Sequence, residues 1–123
     1  MGSTDQESVR EVVQRYIDGT FNGDAGVIRK CFHPQAVMNG YLGDQLFLGG
    51  PEPFFQQIEN SPSMSQAGAP YQAEITSLDL VGRVASATVK ETGFAGEMNF
   101  TNYFHLIKDE GQWKIISKLF TTE

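Results

Sequence analysis

The sequence predicts an α+β fold, with N-terminal helices packed on a strongly curved antiparallel sheet. Three observations carry that prediction. Apolar residues in the first part of the chain recur with the period of an amphipathic helix. From Tyr71 onward the chain is rich in β-branched and aromatic residues, divided into four stretches by glycine-bearing turns. Those stretches are long for a chain of 123 residues, so the sheet must twist and curl, and helices must fill its concave side. Any gap between helices and sheet would be a pocket.

The first helix is expected over residues 4–21. Val9, Val12, Val13, Tyr16, Ile17 and Thr20 form one stripe. Thr4-Asp5-Gln6-Glu7 has the spacing of a capping box. Asn22-Gly23 supplies a residue at ease with positive φ, which stops the helix. Asp24 then caps a second helix over 24–32, with Val27, Ile28, Cys31 and Phe32 on one side. His33-Pro34 closes it, because the residue before proline is pushed out of the helical region.

Residues 35–48 are short, apolar runs broken by glycine. Asn39-Gly40 and Gly43-Asp44 both read as turn dipeptides, which gives two short strands. A third helix over 51–60 starts at Pro51 and buries Phe54, Phe55 and Ile58. Residues 63–70 are small and polar and read as a loop. Strands follow over 71–81, 83–92, 97–108 and 112–121, as consecutive hairpins. Asp109-Glu110-Gly111 reads as a three-residue turn.

Composition narrows the function. The whole chain, 1–123, reads as a single domain of ordinary globular make-up, 40% apolar and 20% charged. A net charge of −6 argues against nucleic acid and against an anionic membrane surface. No apolar run approaches the length of a membrane span. The start of the chain carries no basic-then-apolar export signal, and Asp5 and Gln6 stand where lipidation of Gly2 would favour serine or threonine. A cytoplasmic protein is the expectation. Cys31 is the one cysteine, so no internal disulfide and no cysteine zinc site is expected. No metal and no cofactor is assigned.

The element order and four short pieces resemble the nuclear-transport-factor-2-like (SnoaL-like) superfamily. The pieces are Val13-Gln14-Arg15-Tyr16-Ile17, Gly23-Asp24, Phe32-His33-Pro34-Gln35-Ala36-Val37, and Asp109-Glu110-Gly111-Gln112-Trp113-Lys114-Ile115-Ile116. The ending Trp113–Phe120, with Phe100-Thr101-Asn102-Tyr103 before it, is most similar to the branch labelled "putative lumazine-binding". The resemblance implies a cone-shaped, cystatin-like α+β fold, a pocket between helices and sheet, and a homodimer formed through the sheet. It implies no reaction, because this fold hosts isomerases, dehydratases, cyclases and plain binders.

Individual residues carry two readings each. Tyr16 is either a core aromatic or a donor to a ligand oxygen, as the matching tyrosine is in steroid-isomerase relatives. Those relatives hold a carboxylate base just after the stretch matching Ala36-Val37-Met38. Here Asn39-Gly40 follows, and neither can abstract a proton at neutral pH. Steroid-type isomerisation is therefore not expected. His33 and His105 suit neutral-pH proton transfer by type. His33 is placed to cap helix carbonyls, and His105 lies on an alternating strand that can face outward. Asp44 reads as a turn residue, Glu91 and Lys90 as strand neighbours that face opposite ways, and Glu97 as a solvated residue that opens a strand. Met38, Met64 and Met98 are either core filler or the lining of an adaptable pocket.

Lys118 is the most informative charge. With Lys108 opposite Gln112, Phe100, Asn102, Phe104, Ile116, Lys118 and Phe120 share one face of the last hairpin. That face is mostly apolar, so a lysine on it needs a partner or a ligand, unless it snorkels to water from the strand end. A one-residue slip would reverse the faces. The other face would carry Tyr103, His105, Trp113 and Ile115, an apolar patch suited to a homodimer.

The pocket is expected to gather Tyr16, Phe32, Met38, Tyr41, Phe55, Asn102, Lys118 and Phe120. The first functional reading is a domain that binds a small molecule in an apolar, aromatic pocket. The alternative is a small isomerase, dehydratase or cyclase acting on a flat apolar or heterocyclic substrate, with Tyr16, Tyr41, His33 or Lys118 carrying protons. A carboxylate or histidine in the pocket would favour the enzyme; only Tyr, Asn and Phe there would favour binding. A vestigial pocket in a dimerisation module is a third possibility.

Overall fold

The computed structural model describes residues 4–123; Met1, Gly2 and Ser3, with the expectation about lipidation of Gly2, lie outside it. Helix α1 runs Asp5–Asn22. Thr4 caps it, its hydroxyl accepting from the Glu7 N–H at 3.1 Å. Gly23, at φ 69°, returns its N–H to the Gly19 carbonyl and ends the helix. Every member of the expected stripe, from Val9 to Thr20, is buried. Helix α2 spans Ala25–Cys31, capped by the Asp24 carboxylate on the Val27 N–H.

His33-Pro34 does not close α2 as a cap. Strand β1 already starts at Phe32 and runs Phe32–Leu42 straight through that dipeptide. The extended backbone that proline imposes on its predecessor is satisfied by a strand as well as by a helix stop. The His33 ring accepts the Gln35 N–H at Nδ1, 3.0 Å, and Nε2 sits 2.8 Å from Asp109 Oδ2. It therefore fastens the start of β1 to the far hairpin and caps no carbonyl.

Asn39-Gly40 is likewise not a turn. Both residues are in β1, and only Gly43-Asp44 turns, joining β1 to strand β2 (Gln45–Phe47). A Cβ on Gly40 would stand 2.0 Å from the Phe120 carbonyl oxygen, so glycine is needed for close approach. Helix α3 (Glu52–Asn60) follows Pro51. The expected loop over 63–70 contains a short helix, α4 (Met64–Ala67), capped by the Ser63 hydroxyl.

Strands β3 (Gln72–Val81), β4 (Val84–Phe94), β5 (Met98–Asp109) and β6 (Gln112–Thr122) form the antiparallel meander. The sheet order is β2-β1-β6-β5-β4-β3. One joint is parallel: β1 lies along β6, with Met38 opposite Lys118 and Gly40 opposite Phe120.

The last hairpin differs from expectation twice. Asp109 pairs with Gln112, so the turn is the two residues Glu110 and Gly111, both at positive φ. The register then shifts once more between His105 and Leu106, where Ile116 is the extra residue of a bulge. Beyond the bulge the two one-residue slips add to two, and Phe100, Asn102, Phe104, Lys118 and Phe120 all face the helices. Ile116 does not join them. Between turn and bulge a single slip applies, so Trp113 and Ile115 turn inward and are buried in the core. They are absent from the outer face, where Val37, Tyr41, Tyr103 and Leu119 are each about half exposed. Among the described residues no helix is long and apolar enough to cross a membrane.

Candidate functional site

The inner face of the sheet is filled in two ways. Toward the Trp113 end, α1, α2 and Phe55 pack directly on Ala85, Ala87, Phe104, Leu106, Trp113 and Ile115. Toward the other end the helices stop short, and a cavity of about 200 Å³ remains. Met38 from β1, Phe100 and Asn102 from β5, Lys118 and Phe120 from β6, and Glu91 from β4 line its sheet side. Pro53, Phe54 and Gln57 of α3 line the helix side. Leu42, Phe47 and Leu48 stand at the rim, Leu48 being 74% exposed. The rim loop is pinned to β1: Gly49 N–H donates to Asn39 Oδ1 at 2.9 Å, and Met38 N–H to the Gly49 carbonyl at 2.7 Å.

Four of the eight expected pocket residues, Met38, Asn102, Lys118 and Phe120, line this cavity. The other four do not. Tyr16 is fully buried behind it, its ring against Phe104 at 5.0 Å, and only its hydroxyl reaches toward the site. Phe32 and Phe55 pack edge-to-face on each other at 5.2 Å, inside the helix–sheet core. Tyr41 is 47% exposed, because alternate residues of β1 point away from the helices. Met98 also lines the cavity, whereas Met64 is buried beneath the β4–β5 turn, its sulfur accepting the Ala95 N–H.

Lys118 is 5% exposed. Its Nζ donates to the Tyr16 hydroxyl at 2.5 Å and lies 4.4 Å from the centre of the Phe54 ring, 5.0 Å from Tyr16 and 5.4 Å from Phe120. Among the described residues no carboxylate oxygen comes within 4.0 Å of it. Burial therefore pulls its pKa from 10.5 down to about 8, and the more distant Glu91 charge resists that fall. The same burial, reinforced by Glu91, holds the Tyr16 hydroxyl protonated well above the ordinary range.

Glu91 is the residue that sequence reasoning missed. It is 2% exposed. Oε2 accepts a short hydrogen bond from the Tyr71 hydroxyl, and Oε1 accepts from Asn102 Nδ2 at 2.5 Å. Burial, and next the Glu91 charge, raise the Tyr71 pKa. The signal was present in the alternation Ala85, Ala87, Val89, Glu91, an inward-facing series that ends in a carboxylate. Asn102 is 0% exposed, and its Oδ1 has no partner among the described residues. The cavity thus gathers an amine, a carboxylate and an unsatisfied acceptor among aromatic walls.

A helix-lined, curved sheet enclosing such a cavity defines an NTF2-like domain of cystatin-like α+β fold. The chain belongs to the family described as "Putative lumazine-binding", whose model matches residues 4–121. It is similar to an NTF2-like protein of unknown function from Shewanella baltica, 30% identical, covering 99% of this chain and 98% of that one, with a TM-score of 0.85. A second such protein, from Methylobacillus flagellatus, is 29% identical, covers 100% of this chain and 95% of that one, and has a TM-score of 0.86. Among characterised proteins, the aldolase FrzH of a Cladobotryum species is 22% identical over 96% of this chain and 91% of its own length.

Proposed function

We propose that the cavity binds a small, flat, largely apolar molecule that presents a carbonyl or anionic oxygen to Lys118. One observation carries this reading: among the described residues a buried amine has the Tyr16 hydroxyl as its single polar partner, with three aromatic rings around it. An ammonium held this way is under-solvated, and a ligand oxygen would complete its shell. Asn102 Oδ1 asks for a donor on the same molecule. The volume, small among ligand pockets, fits one or two rings. The family description, with its reference to a small-molecule ligand, supports the reading in kind.

Glu91 favours an enzyme over a passive binder. A carboxylate and an amine of lowered pKa in one apolar cavity are the parts of an acid–base pair acting on a carbonyl compound. Aldol chemistry, the activity in the name of the Cladobotryum relative, is of that class. The outer face, with Tyr103 directly opposite Leu119, is the surface through which two copies would associate.

The test is a thermal-shift panel of one- and two-ring aldehydes, ketones and carboxylates beside hydrocarbons of equal shape. Oxygenated compounds are expected to stabilise the wild type, by about 2.7 kcal/mol at a hundred times Kd. Lys118→Met is expected to keep a cooperative melt and lose the preference. Equal responses to hydrocarbons and carbonyl compounds would overturn the reading.

A further inference from the structure

We propose that Lys118 is a site of covalent chemistry, its ε-amine condensing with an aldehyde or ketone in the cavity to form an imine. The inference deepens the carbonyl-ligand reading above and rests on it.

Imine formation needs an amine that is uncharged part of the time, open to an apolar carbonyl compound, and accompanied by groups that move protons. Lys118 meets each requirement by position. Lys118 lines the cavity, and its Nζ lies against Phe54 and Phe120, rings of the cavity wall on which a carbonyl compound can lie flat. Lysines 90, 108 and 114 are engaged at the surface by Glu123, Asp5 and the Lys30 carbonyl. Among the described residues Lys118 has only a phenol. With its pKa brought down to about 8, roughly a tenth of it is neutral at pH 7, about three hundred times more than for an ordinary lysine.

The step balances without an outside reagent. The nitrogen lone pair adds to the carbonyl carbon, and the carbonyl π electrons pass to oxygen. A proton leaves nitrogen and one joins oxygen, giving a carbinolamine. The hydroxyl then departs with a proton as water, and the C=N bond closes. Nothing is oxidised or reduced. Tyr16, whose hydroxyl touches Nζ, and Glu91, which lines the same cavity, are the groups placed to relay those protons.

The experiment uses benzaldehyde as the probe, with cyanoborohydride present to reduce any imine to a stable benzylamine, followed by peptide mass mapping. At pH 7, Lys118 is expected to be benzylated about tenfold or more faster than the other lysines. Toluene in excess should suppress the labelling of Lys118 alone, because it competes for the cavity. Lys118→Arg should melt cooperatively and show only background labelling. If benzaldehyde stabilises the protein but Lys118 is labelled no faster than the surface lysines, the imine inference is overturned and the binding reading stands. If benzaldehyde neither stabilises nor labels, both fall.

Discussion

Asn102 reaches diagonally across the β4–β5 pair to Glu91. Its strand partner is Val89 and that of Glu91 is Phe100, yet Asn102 Nδ2 donates to Glu91 Oε1 at 2.5 Å. The contact holds a carboxylate at the cavity wall and leaves the Asn102 carbonyl without a donor among the described residues.

Asn102→Asp would therefore set two carboxylates against each other in a buried place. They cannot both ionise, so the folded state would retain a proton that the unfolded chain releases near its ordinary carboxylate pKa of about 4. The folded state then binds more protons, and stability falls as pH rises from about 4 toward 8. Urea midpoints across that range should fall for the variant relative to wild type; parallel profiles would contradict the geometry.

The Lys118 amine gives a pH dependence of opposite sense. Tyr16 from α1 and Glu91 from β4, with the Tyr71 hydroxyl on that carboxylate, are the titratable groups facing it. Its folded pKa of about 8 lies below the unfolded 10.5. Between those values the unfolded chain binds more protons, so stability contributed at this site rises with pH and is lowest below 8. The full span is of order 3 kcal/mol. Lys118→Met should melt no lower than wild type at pH 7, and the rise between pH 8 and 10 should vanish in urea titrations. A large loss of stability in the variant at pH 7 would mark the lysine as structural.

Tyr16→Phe removes the one acceptor that Lys118 has among the described residues. A cost of about 1–3 kcal/mol is expected at pH 7. The same change in a Lys118→Met background should cost less, and a double-mutant cycle reads the difference. Additive effects would show that the 2.5 Å contact carries no coupling.

The helices and their caps were legible because their signals are local. Thr4, Asp24 and Gly23 act within a few residues of themselves, and the stripe of α1 needs no partner to be seen. The inward face of Lys118 was legible only because two errors cancelled. The turn is one residue shorter than read, and the bulge at Ile116 restores the alternation. Trp113 and Ile115, caught between the two slips, came out on the wrong face. Asn39-Gly40 has the composition of a turn, and nothing near it announces that glycine is there to let Phe120 approach. Glu91 was missed because the partners that hold its carboxylate, Tyr71 and Asn102, lie outside its own strand, and only the inward alternation of β4 hinted at its place.

Gly40→Ala tests that approach directly. The added methyl would meet the Phe120 carbonyl at 2.0 Å and its ring at 2.6 Å, so β1 must move from β6. A loss of about 1–3 kcal/mol is expected, as for overpacked interiors. The cavity wall carrying Met38 and Phe120 should shift with it. Unchanged stability and unchanged probe binding would mean the strands can separate freely here.

Leu119→Glu tests association through the outer face. Leu119 stands opposite Tyr103 there, and both are about half exposed. Light scattering at micromolar concentration should give a dimer mass for the wild type and a monomer mass for the variant. A monomeric wild type would remove the proposal.

The parallel seam between β1 and β6 sets an order on folding. Met38 meets Lys118 across 80 intervening steps of chain (118 − 38), and β1 has only the three-residue β2 on its other edge. The meander β3 to β6 can zip hairpin by hairpin through near neighbours, whereas β1 must wait for the most distant strand it could have. The cavity is closed on one side by that late strand. Chains leaving the ribosome would hold the aromatic wall of the site exposed until β6 emerges, and synthesis speed through the final hairpin should govern how much of the protein escapes self-association.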